Sequence, residues 1–123
     1  PIEMRLNESR YIMQSMVVGQ DQRFLGAVIV PVQDDIIAFA KENQISYSKY
    51  EDLMTNDEVR KLIDTEIQNI VNSHNGFKMF EKISRFVLIA KPFEVGVELS
   101  AKQEIMRHKV SEIYSKEINS LFR

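Results

Sequence analysis

The segment M-V-V-G-Q-D-Q-R-F-L-G-A-V-I-V-P, residues 16–31, decides how the chain folds. Val, Ile and Phe gather on either side of the polar Gln20, Asp21 and Gln22: I-M-Q-S-M-V-V-G-Q over 12–20 and R-F-L-G-A-V-I-V-P-V over 23–32. β-Branched and aromatic residues suit a pleated, half-buried surface, so the pattern predicts two strands joined as a hairpin by a polar turn. Gly19 and the residues after it do not form a phosphate loop, because the glycine spacing and the Lys-Ser/Thr pair are absent. Gly26, inside the second strand, marks a close backbone approach or a bulge. Pro31 ends that strand, and Asp34 or Asp35 suits the first turn of a helix reaching about Asn43.

Upstream, Ile2, Leu6 and Met4 place apolar groups on one side of a short helix ending near Arg10. Downstream, the polar I-S-Y-S-K-Y-E-D-L-M-T (45–55) leads to Thr55 and Glu58, spaced as a capping box. Val59, Leu62, Ile63, Ile67, Ile70 and Val71 then follow at helical spacing. S-H-N-G (73–76) stops this helix, with Gly76 as a left-handed cap. K-I-S-R-F-V-L-I-A-K-P-F (82–93) is a third strand whose nearly continuous apolar run predicts a central place in the sheet. After E-V-G-V-E (94–98), Ser100 and Gln103 form another capping box. It opens a last helix with Met106, Val110, Ile113, Tyr114, Ile118 and Leu121 on one stripe. The fold class is therefore α+β: a small three-stranded sheet packed by helices.

At 123 residues the chain is one domain, and its 44% hydrophobic and 28% charged residues are ordinary for a globular protein. A net charge of −2 makes no electrostatic case for nucleic acid or an anionic membrane. With no cysteine there is no disulfide framework and no thiolate nucleophile, which fits a reducing compartment. No apolar run approaches the roughly 20 residues of a membrane span, and no signal peptide is seen; a cytoplasmic location is expected. The sequence begins at Pro1 with the amphipathic P-I-E-M-R-L, as expected of a piece cut from a longer polypeptide. His74 lies in a turn and His108 on an exposed helix side, so neither predicts a metal site or a Ser-His-Asp arrangement. Met16 and Met106 fall within apolar patterns and are expected to fill the core.

Four stretches in order carry a resemblance: P-I-E (1–3), M-V-V-G-Q-D-Q-R-F-L-G-A-V-I-V-P (16–31), N-D-E-V-R-K-L-I-D-T-E-I (56–67) and G-F-K-M-F-E-K-I-S-R-F-V-L-I-A-K-P-F (76–93). Together they resemble the C-terminal domain of AMP-forming acyl-CoA synthetases, in the long-chain fatty-acid–CoA ligase branch of the adenylate-forming enzymes. The third stretch lacks the family's proline. The resemblance implies that residues 1–123 are a single C-terminal lid domain, without the hinge and first hairpin that precede P-I-E in the family. It implies a parent reaction in which fatty acid, ATP and CoA give acyl-CoA, AMP and pyrophosphate. The partner is then an N-terminal adenylation domain of the same chain, which binds the fatty acid and holds most of ATP and Mg²⁺, CoA being a further requirement of the full-length enzyme. The lid closes on that domain for adenylation and rotates for transfer to CoA. Alone, residues 1–123 are expected to hold no cofactor and to be inactive. No nucleic-acid partner is implied, and the parent's peripheral association with a membrane is compatible with the family.

The family's small domain supplies one lysine, in a segment resembling L-T-x-T-x-K-hydrophobic-x-R-x-K-V. Leu99, Ser100, Ile105, Arg107, Lys109 and Val110 fall in register with it, Ser100 replacing a threonine. That register puts Glu104 at the lysine position, a reversal of charge. A carboxylate there repels ATP phosphates; two like charges about 4 Å apart cost about 4 kcal/mol at an effective dielectric near 20. Lys102, at the site of the family's second threonine, is a candidate replacement; the alternatives are a parent weak in adenylation or one using a different cation. The preceding loop differs too: Val97 separates Gly96 from Glu98, where the family often has the glycine directly before the acid. Arg60, Lys61 and Lys78 are candidates for the CoA phosphate, against a solvated-surface reading for each. The rival reading is a non-catalytic interaction or regulatory domain that kept the fold and lost the lysine, and Glu104 favours it.

Overall fold

A computed structural model describes residues 2–123; Pro1 lies outside them. The hairpin forms as predicted: β1 (Ile12–Val18) and β2 (Leu25–Pro31) run antiparallel, with Ser15 opposite Ile29 and Val18 opposite Gly26. The chain reverses through Gly19, at φ +87°, where a side chain is disfavoured. A β-carbon there would also lie 2.4 Å from Cζ of Phe122. Gly26 is a close approach and an irregularity at once. A β-carbon would meet the Leu121 side chain at 3.2 Å, and the register to β3 shifts beside it.

The third strand, β3 (Ile83–Leu88), pairs parallel to β2, with Ala27 opposite Phe86, so the sheet order is β1-β2-β3. This corrects the expectation of a central third strand: β2 is central and β3 lies at the edge. The physical reason is that β2 is buried on both faces. Ala27 and Ile29 enter one core and Val28 and Val30 the other, all at 0% exposure. On β3, Ser84 and Arg85 face solvent. Its apolar run is long because it continues past the strand, sending Ile89 and Phe93 into the second core.

The connection from β2 to β3 carries α2 (Gln33–Glu42) and α3 (Asp57–Ile70), which cover one face. There Ile36, Ala40, Val59, Ile63 and Ile67 pack with Leu6 of α1 (Ile2–Leu6). The other face carries α4 (Arg107–Ile113) and α5 (Ser115–Leu121), whose Val110 and Leu121 pack on Met16, Val28 and Val30. Helices on both faces of a mixed three-stranded sheet give the α+β architecture expected.

Local boundaries differ where side chains compete with the helix. The first helix stops at Leu6 rather than near Arg10: Ser9 turns its hydroxyl to Glu66 (2.6 Å) and accepts the Tyr11 amide (3.1 Å). The cap of α3 is Asn56, not Thr55. The Asn56 side chain accepts from the amides of Glu58 (3.0 Å) and Val59 (3.1 Å). Thr55 still belongs to the 3₁₀ turn Tyr50–Thr55, its hydroxyl donating to the Asp52 carbonyl. Gly76 is left-handed as predicted, but it caps the short turn Ser73–Asn75 beyond the end of α3.

The hydroxyl of half-buried Tyr50 is the buried side-chain polar atom left without a hydrogen-bond partner among the described residues. Burial, with a smaller push from Glu51, raises its phenol to about 12. An unpartnered buried hydroxyl costs about 1–3 kcal/mol. Tyr50→Phe is therefore expected to raise the urea midpoint, by about 1 kcal/mol of stability. A lowered midpoint would show that the hydroxyl has a partner in solution.

Candidate functional site

The segment between β3 and α4 is built from two stacked turns. In the first, the Glu94 carbonyl accepts from the amides of Val97 (3.1 Å), Glu98 (3.1 Å) and Leu99 (3.0 Å), with Gly96 at φ +88°. Leu99 then makes isolated bridges to Val95 and, antiparallel, to Ile105. The second turn, residues 100–104, is closed by Ser100 N–H to the Glu104 carbonyl and Gln103 N–H to the Ser100 carbonyl, both 2.8 Å. The Ser100 hydroxyl oxygen also accepts from the amides of Lys102 (3.3 Å) and Glu104 (3.2 Å).

No helix begins at Ser100, contrary to the capping-box reading. The serine caps a turn instead, and Gln103 takes a left-handed φ of +64° that a helix cannot continue. The chain returns to pair Ile105 with Leu99, and α4 opens only at Arg107. Lys102 thus stands near the apex of an exposed turn with Glu104 on its returning limb, both solvent-exposed. The last helix is also divided. Tyr114 (φ −108°, ψ 26°) separates α4 from α5, and Ile113, expected on the buried stripe, is 46% exposed. Met16 fills the core at 1% exposure, whereas Met106 is only half-buried.

Beneath the turn lies Glu98, 3% exposed. Its carboxylate accepts from the Glu94 amide (2.9 Å) and the Tyr114 hydroxyl (3.1 Å), and its carbonyl accepts from the Met106 amide (2.8 Å). The Tyr114 ring packs near Phe93, with centroids 6.2 Å apart. Burial first, then the hydrogen bond to Glu98 and its charge, raise the Tyr114 phenol to about 12. Arg107, next to the loop, is engaged elsewhere: its guanidinium pairs with the Glu3 carboxylate, which also accepts the Val17 amide at 2.7 Å.

Of the other sequence candidates, Arg60 donates to the Phe86 carbonyl (3.1 Å) and lies 4.4 Å from the Phe86 ring centroid. It shares a surface groove with Lys61, Arg85, Asp57 and Asp64. Lys78 lies elsewhere, beside Val71, Phe77 and Met79, so the structure brings together only two of the three basic residues. His74 is exposed, and exposed His108 has Nε2 3.8 Å from Glu112. Among the described residues no group of three or more His, Asp or Glu is placed to hold a metal ion. No described helix is long and apolar enough to cross a membrane.

The whole chain, residues 1–123, matches the model of the family described as AMP-binding enzyme C-terminal domain. The chain belongs to this family. A curated relative, the probable acyl-activating enzyme 16, chloroplastic, of Arabidopsis thaliana, is 25% identical over 123 residues, covering 99% of this chain and 16% of the relative. The adenylation domain of a carboxylate reductase from Mycobacterium chelonae superposes with a TM-score of 0.79 at 22% identity, covering 98% of this chain and 17% of the other. The adenylation domain of a carboxylic acid reductase from Segniliparus rugosus, solved with AMP and a co-purified carboxylic acid, gives 0.77 at 22% identity, with the same coverage. At these identities the solved structures establish a shared fold. The chain spans only 16–17% of the length of these relatives.

In this AMP-binding enzyme C-terminal domain, sequence reasoning marked Lys102 and Glu104 but missed Glu98 and the role of Tyr114 beside it. The one available signal was an acid between Val97 and Leu99 in an otherwise apolar neighbourhood. The two raised tyrosines give the domain an alkaline dependence. The folded state keeps phenolic protons that the unfolded chain releases near pH 10, so stability is full below pH 10 and falls as pH rises toward about 12. Urea midpoints measured from pH 9 to 12 are expected to fall, and less steeply in Tyr114→Phe. A flat profile would show that neither hydroxyl is shielded.

Proposed function

We propose that this domain is the mobile lid of an AMP-forming acyl-CoA ligase acting on long-chain fatty acids, and that Lys102 supplies its catalytic cation. The observation that carries the proposal is the family match along residues 1–123. An acyl-activating enzyme among the relatives agrees with chemistry that begins by activating a carboxylate. In this reading, a large N-terminal domain binds ATP and the fatty acid, and the lid closes over them. Negative charge then builds between the attacking carboxylate and the α-phosphate, and a fixed cation at that point lowers the barrier. Lys102 suits this role because its backbone is pinned by the Ser100 hydroxyl while its side chain is exposed. After adenylation the lid turns to admit CoA, a conformational step of the kind that often limits turnover.

The test is an assay of the full-length parent with long-chain fatty acid, ATP and CoA. Pyrophosphate release that requires the fatty acid, followed by acyl-CoA formation, is the expected result. Pyrophosphate release without a thioester product would assign a different acyl acceptor. No pyrophosphate with any carboxylic acid would favour the non-catalytic domain to which Glu104 points.

A further inference from the structure

We infer that Glu98 is a positioning residue that fixes the Lys102 turn through Tyr114. This rests on Lys102 being the catalytic cation. The buried polar or charged side chains of the described residues are Ser15 and Glu98. Ser15 is satisfied locally, by Asn7 at 2.7 Å. Glu98 is a different case, a buried ionisable group whose chain neighbour Leu99 and hydrogen-bond partner Tyr114 belong to the apolar second core. Burying a carboxylate is costly unless its oxygens are hydrogen-bonded. Here one oxygen takes the Glu94 amide and the other the Tyr114 hydroxyl, and neither donor is charged. Packing alone could be served by leucine at this position. What leucine cannot do is hold both of those donors at once.

Those donors define the base of the turn. Glu94 starts the loop whose carbonyl collects the amides of Val97, Glu98 and Leu99. Tyr114 stands at the junction of α4 and α5, the helices that pack on the sheet. The Glu98 carbonyl holds Met106, and Leu99 pairs with Ile105, so residues 100–104 form a closed excursion hung from Glu98 and its neighbour. A displacement of Glu98 therefore carries the turn, with Lys102 on it, relative to the rest of the domain. Displacements of about 1 Å at a reacting group are enough to cost 10²-fold in rate.

The experiment is a double-mutant cycle in the full-length parent, joined to hydrogen–deuterium exchange. Glu98→Leu is expected to lower kcat for fatty-acid-dependent pyrophosphate release about tenfold with KM for ATP unchanged. Glu98→Gln, which keeps an acceptor for the Glu94 amide and a polar partner for Tyr114, stays near wild type. In a Lys102→Ala background, Glu98→Leu costs nothing further. Exchange at the Lys102 and Glu104 amides rises in Glu98→Leu, while amides of β2 stay protected. Tyr114→Phe, a gentler change, shows the same pattern more weakly. Equal losses from Glu98→Leu with and without Lys102 would overturn the inference, because the effect would then be general stability. So would unchanged exchange at the turn. If Lys102→Ala leaves the rate unchanged while Glu98→Leu frees the turn, the anchoring stands and the assignment of Lys102 fails.

Discussion

Replacing Ile29 by alanine is expected to cost about 4 kcal/mol, near the upper part of the range for emptying a buried isoleucine site. Ile29 is 0% exposed and lies in the central strand, opposite Ser15 on β1 and Leu88 on β3. Above it is the core shared with α2 and α3. The cavity left by alanine has little chance to close, since the backbone is held by ladders on both sides and its neighbours Val28 and Val30 are committed to the opposite core. A domain of this size has a total stability of about 5–15 kcal/mol, so the loss is a large share of the whole. Met13→Ala, at a 50% exposed position where the β1 register shifts, is the control and should stay within about 0.5 kcal/mol. Urea unfolding with an unchanged slope is the measurement. A loss below about 1 kcal/mol at Ile29 would contradict a central strand buried on both faces.

The hairpin was legible because its signal is local. β-Branched residues flank a polar turn, and Gly19 marks the residue that must take a positive φ. The place of β3 was not legible, because a run of apolar residues looks the same whether it is a central strand or an edge strand continuing into a second core, as Ile89 and Phe93 do. Ser100 and Gln103 misled for a similar reason. A serine oxygen satisfies amides two and four residues on in a turn as readily as in a helix's first turn, and the left-handed Gln103 that decides between them has no sequence mark. The continuous stripe of the last helix hid the break at Tyr114, since Val110, Tyr114 and Ile118 remain four residues apart and still reach the second core. For the candidate site, Lys102 and Glu104 came from register with a family pattern. Glu98 has no periodic signature, and only the fold shows which two donors its carboxylate holds.

In the full-length parent, Lys102→Ala is expected to reduce fatty-acid-dependent pyrophosphate release by about 10²-fold or more, the usual loss when one group stabilising transition-state charge is removed. The neighbouring acid opposes that stabilisation in wild type and variant alike. Lys102 and Glu104 share one exposed turn, with the amides of both bonded to the Ser100 hydroxyl. In the proposed reading the Glu104 carboxylate repels the phosphates with or without the lysine, by about 4 kcal/mol for charges about 4 Å apart at an effective dielectric near 20. Glu104→Gln should therefore leave Lys102 unopposed and raise the wild-type rate, without rescuing Lys102→Ala fully. Glu104→Lys, in the Lys102→Ala background, should recover more, because it returns a cation to the turn at the position that the resemblance aligns with the family's lysine. Both substitutions are on a solvent-exposed turn, so urea unfolding should be unchanged and a rate effect can be read as chemistry. The opposite pattern is equally informative. A silent wild type that gains pyrophosphate release only on Glu104→Lys would mean that Lys102 does not reach the reacting phosphate, and that this fold has been retained for a role other than making acyl-adenylate.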